Sequence, residues 1–323
     1  MSPRSRVLVV VIAVAAVSAG LVVGITAASS DHPAGVTVAG PQPRPGAPPL
    51  SIDLGVRTDA EAVDLRRGLG LYEKGQRVRA AALFGRHRSL EARIGQAFAR
   101  WPDGTVARLT QLAGLHSQSA LVQLDLGIAL FWAGQAGSQE AWRAAAEVEP
   151  DTAYAVTAGN LLYPNFARNL PIFVPVVDSP AKIRSLSPPE QLRALERLAR
   201  KGDRTGTLLY GVALQRLGRQ LSARRVFGGL AERRPGDAEA QVAAAVARFD
   251  KAAPAEAFSR LGPLSKRFPG AATVRFHLGV LLLWSGEVKE ARRQLRLART
   301  AEPGSRLAGE ARRYLDELDA AGI

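Results

Sequence analysis

Few residues in this chain could do chemistry. With no cysteine there is no thiol nucleophile, no disulfide, no Cys-ligated zinc and no Cys-anchored lipid. The four histidines, His32, His87, His116 and His277, stand far apart and lack the spacing that would place two of them on one metal. Their types and positions read as incidental. No Gly-rich loop ends in Gly-Lys-Ser/Thr, and neither His-Glu-x-x-His nor Gly-x-Ser-x-Gly occurs. The acidic residues mostly stand beside Arg on helix faces, where surface pairing explains them. The expectation is no enzyme, no cofactor and no metal. What remains is chemistry of contact. The strings "LVQLDLGIALFWAG" and "TVRFHLGVLLLWSG" each place a bulky residue and a Trp just before a small residue and Gly: Phe131 with Trp132, and Leu283 with Trp284. A third aromatic group, Tyr163, Phe166 and Phe173, lies in a proline-rich stretch that carries more apolar residues than a disordered linker does. That stretch is expected to fold back on the protein or to meet a partner.

The elements that must position these groups are helical. Hydrophobic residues make up 47% of the chain and aromatics only 6%, so the core must be built from Ala, Leu and Val in closely approaching helices. Arg4 and Arg6 are followed by no charge until Asp31. The run 7–28 meets the roughly 20 apolar residues that a membrane crossing needs. It is expected to be a transmembrane signal-anchor, with residues 1–6 cytoplasmic by the positive-inside bias. Cleavage after the small residues Thr26, Ala27 and Ala28, giving a secreted chain, is the alternative. Either way the remainder is exported. Residues 29–60 are proline-rich in "AGPQPRPGAPPL", which forbids helix, and are expected to be an extended tether. The formal charge of +14 suits anionic surroundings such as lipid headgroups, wall polymer or acidic partners. Nucleic acid is not expected, since no fold for it is apparent.

From residue 204 the sequence repeats. Pro235, Pro269 and Pro303 are 34 residues apart; so are Ala223, Ala257 and Ala291, then Phe227, Leu261 and Leu295, then the small residues Gly211, Ala245 and Gly279. A fixed period in this range marks stacked helical pairs. The expected units are 204–237, 238–271 and 272–305, followed by a capping helix at 306–323. Gly218 and Gly286 are expected at the turn inside each pair, with Ala252 in that slot of the middle one. Three degenerate units occupy 61–153, and 154–203 is a proline-rich interruption plus one helix. That helix opens on Ser187 and Glu190 as a capping box.

This pattern resembles the tetratricopeptide repeat, as found in membrane-anchored bacterial proteins. The resemblance implies an all-α fold, a right-handed superhelix of antiparallel helix pairs whose first helices line an inner groove. That groove would present Leu208, Val212 and Gln215, then Val242, Val246 and Phe249, then Phe276, Val280, Leu283 and Trp284, with Phe131 and Trp132 in the front half. Family members that grip acidic C-terminal peptides carry Lys, Arg and Asn in those slots, and this chain does not. An apolar groove can take a partner's helix or extended segment, or be filled by the chain's own loop or last helix. The implied function is a non-catalytic scaffold binding a protein partner in the bacterial cell envelope, assisting assembly of a membrane or exported complex. The alternative is a basic surface that binds anionic wall polymer or lipid.

Overall fold

The computed structural model describes residues 42–322. The expected cytoplasmic N-terminus, the signal-anchor at 7–28 and the first part of the tether lie outside the described residues. No helix among those described is long and apolar enough to cross a membrane. They form α-helices without a β-strand and divide into two units, 42–162 and 163–322.

The C-terminal unit holds α8 (Ala181–Arg184), α9 (Pro188–Arg200) and three helix pairs. The pairs are α10 (Arg204–Arg216) with α11 (Gln220–Arg233), α12 (Ala238–Val246) with α13 (Ala255–Arg267), and α14 (Ala272–Trp284) with α15 (Val288–Ala301). The closing helix is α16 (Arg306–Ala320), and each of α12, α14 and α16 begins 34 residues after its predecessor α10, α12 or α14. Local chemistry fixes these starts. Asp203, Asp237 and Ser305 accept first-turn N–H groups from their N-cap positions. Ala271 cannot, so Glu302, at the far end of the same pair, accepts the Ala272 N–H. The capping box of Ser187 and Glu190 is present at α9. Pro235, Pro269 and Pro303 fall two residues past the ends of α11, α13 and α15, where a helix cannot continue. Gly218 and Gly286 take positive φ, 68° and 81°, at the turns inside the first and third pairs, a conformation L side chains resist. The middle pair has no such Gly, and α12 stops at Val246 before an eight-residue connection. The repeated slots Ala223, Ala257, Ala291, Phe227, Leu261 and Leu295 are all fully buried.

The N-terminal unit holds α1 (Ala60–Glu73), α2 (Arg77–Phe84), α3 (Leu90–Ala99), α4 (Thr105–Leu115), α5 (Ala120–Trp132), α6 (Ser138–Val148) and α7 (Ala153–Leu162). Its first helices α1, α3 and α5 begin 30 residues apart, so these units are shorter than the 34-residue ones. Glu149 accepts the Ala120 N–H across the α5–α6 pair, as Glu302 does for α14. Two boundaries differ from expectation. Helix α7 occupies the start of the stretch expected as an interruption, because "AYAVTAGNLL" contains no proline until Pro164 stops it. Residues 42–57, expected as the end of a free tether, lie on the helices of this unit, with Pro48 and Leu54 buried.

Candidate functional site

In the C-terminal unit the proline-rich segment lies extended across the first helices. Its residues alternate: Pro171, Phe173 and Pro175 are buried, while Ile172, Val174 and Val176 are half-buried. That is the period-two pattern of an extended chain with one face inward. No strand among the described residues pairs with it, and helix side chains bond to part of its backbone instead. The Phe173 N–H donates to Gln215 Oε1 of α10 at 2.9 Å. The Val174 N–H donates to His277 Nε2 of α14 at 2.9 Å. The Val176 N–H donates to Glu239 Oε1 of α12 at 2.6 Å. Arg306 of α16 donates to the carbonyls of Pro175 and Val177 and pairs with Asp178 at 2.9 Å. Four successive first helices thus hold one run of backbone.

Each reader is itself held. Glu239 Oε2 meets Arg204 at 2.7 Å, and Arg204 also binds Asp237. His277 Nδ1 donates to the Thr273 carbonyl at 2.7 Å, which leaves Nε2 unprotonated to accept from Val174. Phe173 stacks on the imidazole at 4.8 Å between centroids and meets Phe227 edge-on at 5.7 Å. Phe166 meets Phe249 edge-on, and Phe249 meets Trp284 in the same way.

The N-terminal unit treats residues 42–57 similarly. The Ser51 N–H donates to Asp125 Oδ1 of α5 at 3.2 Å. The Tyr72 hydroxyl donates to the Pro48 carbonyl at 2.7 Å, and Tyr154 donates to the Asp53 carbonyl while accepting its N–H. The Arg44 N–H donates to the Trp132 carbonyl, and its guanidinium lies 4.0 Å over the Phe131 ring. Asp125 stands two residues before Gly127, as His277 stands two before Gly279, so one slot of the repeat reads backbone in both units. Burial disfavours the charged form of both groups. Burial raises the Asp125 carboxyl well above the usual carboxylate range, against the pull of the Ser51 N–H. Burial lowers the His277 imidazole to about 4, against its bond to Thr273.

No protein-family model matches this chain, and no curated protein matches it.

Of the residues singled out in the sequence, Phe166, Phe249 and Trp284 meet in one aromatic row, while Phe173 belongs to a second group with Phe227 and His277. Phe276, Val280 and Leu283 are buried in the core behind it, Phe276 packing edge-on against Tyr314. Tyr163 is 37% exposed and joins none of the aromatic contacts among the described residues. Phe131 and Trp132 are half-buried in the N-terminal unit, and Trp132 lines a cleft of about 700 Å³ with Trp101, Arg44 and Arg77. His277 is not incidental: it is buried, stacked and bonded at both ring nitrogens. Its signal was a polar residue inside the apolar run "TVRFHLGVLLLW", matched by Asp125 in "LVQLDLG". Among the described residues, no cluster of His, Asp and Glu could hold a metal.

The His277 geometry sets a pH dependence. Its folded-state value of about 4 lies below the ordinary 6.5, so the unfolded chain binds the proton first as pH falls. The stabilisation is complete above 6.5, declines below it and is gone beneath 4. Between pH 7.5 and pH 5 the loss should be about 2 kcal/mol. Urea unfolding of the wild type and of His277→Gln at the two pH values measures it. The wild type should lose about that much more than the variant; equal losses would refute the assignment.

Proposed function

We propose that this protein is a non-catalytic protein–protein interaction scaffold of the bacterial cell envelope, a tetratricopeptide-like right-handed superhelix exported behind an N-terminal signal-anchor. One observation carries the reading. Side chains from α10, α12, α14 and α16 hold the main chain of an extended segment across the first helices. Recognition of extended polypeptide by backbone bonds with pockets for alternate side chains is a recurring mode of peptide binding. The 34-residue period of the helix starts supports the repeat family, and the uncharged run 7–28 behind Arg4 and Arg6 supports the anchor.

Because the chain has no cysteine, Val177→Cys places one thiol beside this face, at a position 44% exposed. A membrane-impermeant, thiol-directed crosslinker applied to wall-stripped cells should reach it and trap a discrete protein. Labelling only after lysis would overturn the exported orientation. Labelling without any protein adduct, together with retention on anionic wall polymer or lipid that high salt abolishes, would favour the basic-surface alternative, since exposed charges are screened within about 8–10 Å.

A further inference from the structure

Residues 171–177 make no backbone–backbone hydrogen bond to any other described residue. The bonds that hold the N–H groups of Phe173, Val174 and Val176 and the carbonyls of Pro171, Pro175 and Val177 all go to side chains, so the segment can leave without breaking a helix or a strand. The readers it would uncover, Gln215, Glu239, His277 and Arg306, are polar. Water can satisfy them, whereas a face meant for permanent packing is cheaper to build from apolar side chains. Only one large side chain, Phe173, is read in depth. The residues two before and two after it are prolines, which need no acceptor for an N–H.

We propose that residues 169–178 are a resident occupant that can be replaced, and that the face takes in their stead an extended peptide of the pattern Pro-x-aromatic-x-Pro from a partner. This rests on the scaffold reading and names the chemistry of its ligand. The resident segment is tethered at both ends, so it competes at an effective concentration that reaches the millimolar range for short linkers. A free peptide therefore binds the wild type weakly and a chain with a weakened resident well.

The probe is a fluorescein-labelled synthetic peptide of sequence NLPIFVPVVD, residues 169–178, read by anisotropy against the full-length chain in detergent. The chain carrying Phe173→Ala should bind it at least about tenfold more tightly than the wild type. A peptide with Ala for its Phe should not bind either chain. A folded Phe173→Ala chain that binds no better than the wild type overturns the proposal. Hydrogen exchange of the wild type tests it without any variant. The amides of Phe173, Val174 and Val176 should exchange through openings at least about tenfold more frequent than those of α14, and added peptide should speed them further. Protection equal to that of α14, or no response to peptide, overturns it. Failure here with a trapped protein at position 177 would leave the scaffold standing with a different docking chemistry. Peptide binding with nothing trapped there would remove the envelope partner and keep the site.

Discussion

Trp284→Ala should destabilise the chain by about 3–5 kcal/mol, the range for large aromatic truncations in cores. The indole is 6% exposed at the end of α14 and meets Phe249 edge-on at 5.9 Å, with Phe249 in turn against Phe166. Removing it leaves a cavity that no neighbouring backbone can collapse into, because α12 and α14 are both fixed by their own packing. For a unit of this size the melting temperature should fall on the order of 10 °C. Trp132→Ala is the control. That ring occupies the matching position of α5 but is half-buried and borders the open cleft, so its loss should cost distinctly less. If Trp284→Ala melts with the wild type, the indole does not bridge the core as described. A wild-type melting curve with lost capture of a crosslinked partner would make it a contact residue instead.

Gly211→Ala should cost about 3 kcal/mol, although Ala favours a helix interior by about 1 kcal/mol over Gly. A Cβ on residue 211 would overlap Cε1 and Cζ of the Phe227 ring. That ring is fully buried and is held on another side by Phe173, so it cannot swing away cheaply. The middle pair carries Ala245 and Leu261 in the same two slots, which suggests the remedy. Phe227→Leu introduced with Gly211→Ala should recover part of the loss. In a double-mutant cycle measured by urea unfolding, the two changes should couple favourably by about 1 kcal/mol or more, as residues in contact do. Additive losses would mean that α10 and α11 do not meet through this pair.

The 34-residue rhythm was readable in the sequence because it is made of local requirements. A helix starts where Asp203, Asp237 or Ser305 can cap it, turns where Gly218 or Gly286 can take positive φ, and stops where a proline denies the next hydrogen bond. Each condition involves residues within a few positions of one another, and the small-residue slots then follow from the helical period. The shorter N-terminal pairs were less legible, since their 30-residue spacing leaves fewer matched slots and their helices α2 and α3 run only 8 and 10 residues. The aromatic members Phe166, Phe173, Phe249 and Trp284 could be picked out as candidates by type. What fills the first-helix face could not. Val176 finds Glu239 across 63 positions and Val174 finds His277 across 103. Nothing in the neighbourhood of either residue encodes such a partner. A lone buried His or Asp in an apolar helix looks alike whether it meets core, water or a backbone N–H. Only the stacking of successive helix pairs brings Gln215, Glu239, His277 and Arg306 into one row, and that row decides where an extended chain can lie.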